Sequence, residues 1–125
     1  MDKAQAIHAF WSGFEWPAFD ESTVPEKEPN VVSYPYITYM VSLDDFEHPV
    51  FITASLWDYG KSWERISRKA TEVAEYVGLG GKVMEIDGGK VWIQRGRPFA
   101  QRIADEDDMV RRIMINIDVE FFTAN

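Results

Sequence analysis

The side chains in this sequence that could do chemistry are few and scattered. Asp44, Asp45, Glu47 and His48 bring carboxylates and an imidazole close together, donor types that can hold a divalent cation. Their spacing fits no established cation loop. No glycine stands where a calcium loop must turn, and Glu47 and His48 are adjacent, so a solvated hairpin tip is the better reading. Asp105, Glu106, Asp107 and Asp108 form a second acidic run, read as a turn or short helical start before the last strand, with weak cation binding as the alternative. His8 and His48 are the only histidines, and neither belongs to a recognisable triad. The expectation is a non-enzymatic chain with no catalytic residue, no cofactor site and no metal site.

Three other groups invite a ligand reading. Gly78-Leu79-Gly80-Gly81 has the composition of a phosphate cradle, but no Lys-Ser/Thr pair follows and no helix opens there. The stretch reads as the stop of a helix instead. Arg95, Arg97 and Arg102 form a basic group around Gly96, Pro98, Phe99 and Gln101. A phosphate or nucleic-acid patch is one reading. Pairing with carboxylates of this subunit or the next is the stronger one, because the guanidinium fork matches a carboxylate at interfaces. Trp57 and Trp63 could stack a ligand, but packing where a strand meets a helix accounts for them more simply.

The elements that must position these groups follow from periodicity. Residues 2–14 read as a helix capped by Asp2, with Ala6, Ile7, Phe10, Trp11 and Phe14 at helical spacing. Residues 15–30 carry Pro17, Pro25 and Pro29 among acidic residues, the composition of an irregular loop, or of an arm lying on a neighbouring subunit. Residues 32–43 and 50–58 read as two strands of an antiparallel hairpin with its turn at 44–49. Residues 62–77 are the clearest helix, with Ser62 as cap, Gly78 as stop and a stripe of Trp63, Ile66, Ala70, Val73, Ala74 and Val77. Residues 82–86 and 90–94 form a hairpin through Asp87-Gly88-Gly89, and residues 98–108 connect to the closing strand.

That closing strand, residues 109–122, carries the strongest pattern in the chain. Arg111, Ile113, Ile115, Ile117, Val119 and Phe121 share one face, and Arg112, Met114, Asn116, Asp118 and Glu120 share the other. Successive side chains of a strand point to opposite faces, so one face enters a core and the other meets water or a partner. Arg112, Asn116, Asp118 and Glu120, with Arg95, Arg97 and Arg102, are the candidate interface or channel residues. The predicted fold class is α/β (α+β): one domain over residues 1–125, a mixed or mainly antiparallel sheet flanked by two principal helices, in the order α-β-β-α-β-β-β.

Composition narrows the function classes. The absence of cysteine excludes disulfides and thiolate metal sites and suits a reducing cytoplasm. No apolar run approaches the length of a bilayer span, and the first residues lack the pattern of a signal peptide. A net charge of −8 argues against tight duplex binding, while an acidic wall lets DNA pass without sticking. Residue types and spacing alone identify no activity.

A resemblance adds to this. Tyr34-Pro35-Tyr36-Ile37-Thr38-Tyr39, Ala54-Ser55-Leu56-Trp57 before Ser62-Trp63, and Ala74-Glu75-Tyr76 come first. Gly88-Gly89-Lys90-Val91-Trp92-Ile93, Gly96-Arg97-Pro98-Phe99-Ala100-Gln101-Arg102 and Ile113-Met114-Ile115-Asn116-Ile117 complete the pattern. Together they resemble the tail terminator proteins of long-tailed bacteriophages, also called tail-to-head joining or tail completion proteins. The resemblance implies a small α/β fold assembling into a homohexameric ring. Such a ring caps the tail tube, ends its polymerisation and offers a surface to the head connector, with DNA passing through the channel. The implied partners are therefore further copies of the chain, the tail tube protein and a head connector or neck protein, with no membrane. The implied location is the virion tail–neck region, after assembly in the host bacterial cytoplasm. A head-closure or other neck component is the nearby alternative, and a small cytoplasmic ligand-binding domain or enzyme the more distant one.

Overall fold

A computed structural model describes residues 1–23, 33–41 and 50–123. Helix α1 spans Lys3–Ser12, and Asp2 caps it as the sequence suggests. The Asp2 carboxylate accepts from the Gln5 N–H at 2.8 Å, while the Gln5 side-chain oxygen accepts from the Asp2 N–H at 2.9 Å. This reciprocal box satisfies amide donors that the first turn would otherwise leave unpaired. Helix α2 spans Glu64–Val77 and stops at Gly78, whose φ of 73° suits glycine and whose N–H reaches Ala74 O. It starts later than its Ser62 cap implies, with Trp63 at the N-cap position, yet Ser62 Oγ still accepts from the Glu64 N–H at 3.0 Å.

Among the described residues, six strands form one sheet: β1 Ala18–Asp20, β2 Tyr36–Tyr39, β3 Val50–Tyr59, β4 Lys82–Ile86, β5 Gly89–Ile103 and β6 Val110–Thr123. Their order across the sheet is β1-β2-β3-β6-β5-β4, and only the β1–β2 pair is parallel. The architecture is thus the expected α+β domain with a mixed, mainly antiparallel sheet and two helices. Its element order differs from the expected one by an added first strand. That strand falls in the stretch read as irregular: Ala18–Asp20 pairs with β2, and Glu21–Thr23 forms a 3-10 turn. Residues 24–30 of that arm lie outside the described residues.

The second difference is the length of β5. Residues 98–108 were expected to be a connection, but β5 continues to Ile103. Arg95 pairs with Ile117, and the next pair is Ala100 with Ile115. The bulge between them breaks the period-two pattern, so the sequence hides a strand that continues beyond it.

Both helices lie on the face of the sheet defined by Ile113, Ile115, Ile117, Val119 and Phe121 of β6. These join Ile52, Ala54 and Leu56 of β3, Ile37 of β2, and Val91 and Ile93 of β5 in one core. Helix α1 contributes Ala6, Ile7, Phe10 and Trp11, and α2 contributes Ile66, Ala70, Val73 and Val77. The helices meet where Phe14 and Phe10 pack on Tyr76, with ring centroids 5.4 and 6.0 Å apart. Lys69, buried beside Trp16, donates to Phe14 O at 2.8 Å and to Glu72, joining the end of α1 to α2. No helix among the described residues is long and apolar enough to cross a membrane.

Candidate interaction surface

The register leaves one face of the sheet without a helix among the described residues. Phe51, Thr53, Ser55, Trp57 and Tyr59 of β3 lie on it beside Asp118, Asn116, Met114, Arg112 and Val110 of β6. Trp92 and Gln94 of β5 continue the row beyond Glu120 and Asp118, and Val83 of β4 pairs with Trp92. Phe51, Tyr59, Val83 and Phe122 are 52%, 51%, 55% and 52% exposed, and all four fall on this face. These apolar groups are spread along the face, with Phe51 and Tyr59 near opposite ends of β3 and the buried Ser55 and Asn116 between them.

One end of the face is an aromatic ladder. Tyr36 stacks on Trp57, with ring centroids 6.0 Å apart and 14° between planes, and Tyr34 bridges Tyr36 and Tyr59 at 5.3 and 5.5 Å. Trp57 Nε1 donates to Thr38 Oγ1 at 2.9 Å. The Arg112 guanidinium lies 4.7 Å from the Trp57 ring centroid, and its Nε donates to Ser55 Oγ at 3.0 Å. Burial, then the neighbouring Tyr34 and Asp105, push the Tyr36 phenol up to about 12. Burial first, then Asp105 and Asp107, raise Tyr34 as well.

The candidate residues of the closing strand differ in their situation. Arg112 is engaged by Trp57 and Ser55. Asn116 is 3% exposed and donates from Nδ2 to Pro98 O at 2.8 Å, while its Oδ1 is buried without a hydrogen-bond partner among the described residues. Asp118 and Glu120 are half-buried on the open face. Among them, Asp118 and Glu120 are the best placed to meet a partner.

The three arginines around Gly96 do not form one patch. Arg95 turns to the helix face and donates to Ala74 O from Nε at 3.0 Å and from Nη2 at 2.6 Å. Arg102 stacks on Trp63 at the opposite end of α2, with its guanidinium 4.7 Å from the ring centroid, and Arg111 approaches the same ring at 5.1 Å. Arg97 is exposed on the β5 bulge. Trp57 and Trp63 also separate: Trp63 packs against the core as expected, whereas Trp57 faces away from the helices. The sheet divides two residues that sequence proximity groups together.

Two arrangements were not visible in the sequence. Asp58 is buried at the end of β3 and takes a bidentate contact from Arg65, with Nε donating to Oδ2 at 2.8 Å and Nη2 donating to Oδ1. Burial alone raises its pKa, but the Arg65 hydrogen bonds, the Tyr59 N–H and the Arg65 charge more than offset this. The carboxyl ends below its ordinary value. The second arrangement is a line of Ser12, His8 and Tyr39. His8 Nδ1 lies 2.6 Å from Tyr39 Oη, and its Nε2 lies 3.2 Å from Ser12 Oγ. The line has the outline of a nucleophile, base and orienting group. Ser12 closes α1, however, where the helix presents carbonyls and the negative end of its dipole, which opposes a developing oxyanion. The line ties the last turns of α1 to β2 through side chains.

Asp44, Asp45, Glu47 and His48 lie outside the described residues. Asp105 to Asp108 make a turn, with the Asp105 carboxylate accepting from the Asp107 N–H and the Asp107 carboxylate from the Met109 N–H. No protein-family model matches this chain, and no curated protein sequence matches it.

Proposed function

We propose that this protein is a structural component of a bacteriophage virion, a tail terminator that forms a ring on the tail tube. In this role it ends tube polymerisation and joins the tail to the head connector. The observation that carries the reading is the helix-free sheet face, where Phe51, Tyr59, Val83 and Phe122 stand exposed around the polar row of β6. A sheet face that keeps large apolar groups exposed supplies the contact area an assembling subunit needs. The motif resemblance supplies the kind of assembly and its six-fold order. The acidic balance, −8 over the chain, suits a channel that DNA traverses without adhering.

The reading is tested by adding the purified protein to polymerising tail tube protein from the same phage. Capped tubes of limited length are expected, with the ring visible at one end. Tubes that grow as if nothing had been added contradict a terminator. Binding to the head connector with no effect on tube growth would identify the head-closure alternative.

A further inference from the structure

We propose that Arg97 is the peg by which one copy of this chain docks on the next, seated against Glu106 and Asp108 of its neighbour. This names the contact within the ring-forming reading and rests on it.

Arg97 is set apart from every other arginine in the sequence. Arg65 binds Asp58, Arg68 binds Glu64, Arg95 binds Ala74 O, Arg102 and Arg111 lie over Trp63, and Arg112 lies over Trp57. Arg97 has no hydrogen bond, ion pair or ring contact among the described residues. Its backbone is nevertheless held on both sides. Pro98 O accepts from Asn116 Nδ2 at 2.8 Å, and Phe99 packs against the core. Gly96 sits so close to β6 that an added Cβ would stand 2.7 Å from Asn116 O. The bulge therefore presents an unpaired cation from a fixed backbone, which lowers the ordering cost of binding.

Its complement lies on the same chain but out of its own reach. In the turn after β5, the carboxylates of Asp105 and Asp107 accept backbone N–H groups. The exposed Glu106 and Asp108 side chains have no such partner among the described residues. The strand residues Ala100 to Ile103 separate the bulge from this turn by about 14 Å, at the usual rise of a strand. Arg97 thus meets the acidic turn of another copy more readily than its own. In the ring reading each copy offers Arg97 to one neighbour and its acidic turn to the other, which is a head-to-tail contact. One exposed ion pair adds little affinity. It sets register and selects the partner, while the apolar face supplies area.

Charge-swap mixing tests this. Arg97→Glu, and separately Glu106→Lys with Asp108→Lys, are each measured for oligomeric state by native mass spectrometry and sedimentation, with melting curves as the folding control. Each variant alone is expected to lose association by about tenfold or more. An equimolar mixture is expected to recover it, in rings with even numbers of strictly alternating copies. Variants that assemble like the wild type overturn the peg while leaving the ring reading in place. Variants that fail alone and also fail when mixed overturn the pairing. A wild-type chain that never associates overturns the ring reading, and the peg with it.

Discussion

Arg95 and the carbonyl of Ala74 join the middle of the longest strand to the last turn of α2, with two hydrogen bonds of 3.0 and 2.6 Å from one guanidinium. Ala74 O already accepts the Gly78 N–H at 2.9 Å, so the guanidinium takes its remaining acceptor capacity, and a cation there also meets the negative end of the dipole. The contact thus serves as a C-terminal cap supplied by the sheet. Arg95→Leu should cost about 1.5–3 kcal/mol, the range for hydrogen bonds from charged groups. Urea denaturation checks this, and the variant should assemble like the wild type.

Asp58 gives the fold an acid sensitivity. Its folded pKa lies below the ordinary value, so the stability it contributes is present above the unfolded carboxylate range and is lost as pH falls through the lower folded value. Asp58→Asn should destabilise the domain by about 1.5–3 kcal/mol at neutral pH. The gap between variant and wild type should close on acidification. Parallel denaturation series across pH measure this. A gap that stays constant would mean that charge plays no part.

Tyr36 acts at the alkaline end. Its phenol is raised to about 12 by burial and by Tyr34, so its contribution is complete below the usual tyrosine value and is lost as pH rises through about 12. A tyrosinate absorbance titration should show late components, since Tyr34 and Tyr39 are raised as well, and Tyr36→Phe should remove the one at about 12.

Glu15 holds a left-handed conformation, with φ at 70°, between the buried Phe14 and Trp16. This reversal turns both aromatic groups into the core at the end of α1. Glycine accepts that φ without the cost borne by a residue with a Cβ. Glu15→Gly should therefore raise stability by about 0.5–1 kcal/mol, seen as a higher melting temperature.

These sites show what the sequence could and could not reveal. The alternation from Arg111 to Phe121 was legible because a long strand between two others repeats its environment every second residue, and β6 lies between β3 and β5. The stripe of α2 and the turn at Asp87-Gly88-Gly89 were legible for similarly local reasons. Strand β1 was not, because Ala18–Asp20 is too short to show a period and follows Pro17. The tail of β5 was hidden by the bulge at Gly96 to Phe99, which shifts the register against β6. The interaction surface was half legible. The polar row of β6 was apparent, but the Tyr34, Tyr36, Trp57 and Arg112 ladder depends on the β2–β3 register, and no local signal sets that register.

Substitutions on the two faces of β6 distinguish folding from the proposed assembly. Asp118→Lys with Glu120→Lys should leave the melting temperature nearly unchanged while weakening association, since both carboxylates lie opposite the helix-packed core face. Ile115→Asp should unfold the domain, because Ile115 is wholly buried and an aspartate there would be an unpaired buried charge. Circular dichroism and sedimentation on both variants distinguish the two effects.

A ring subunit, as proposed for this chain, must associate with copies of itself. Native mass spectrometry across a range of concentrations, with electron microscopy of the same sample, tests it most directly. A closed ring of six copies, in the free protein or on addition of tail tube protein, is the expected result. A strictly monomeric species at every concentration, with the tube protein present, would contradict it.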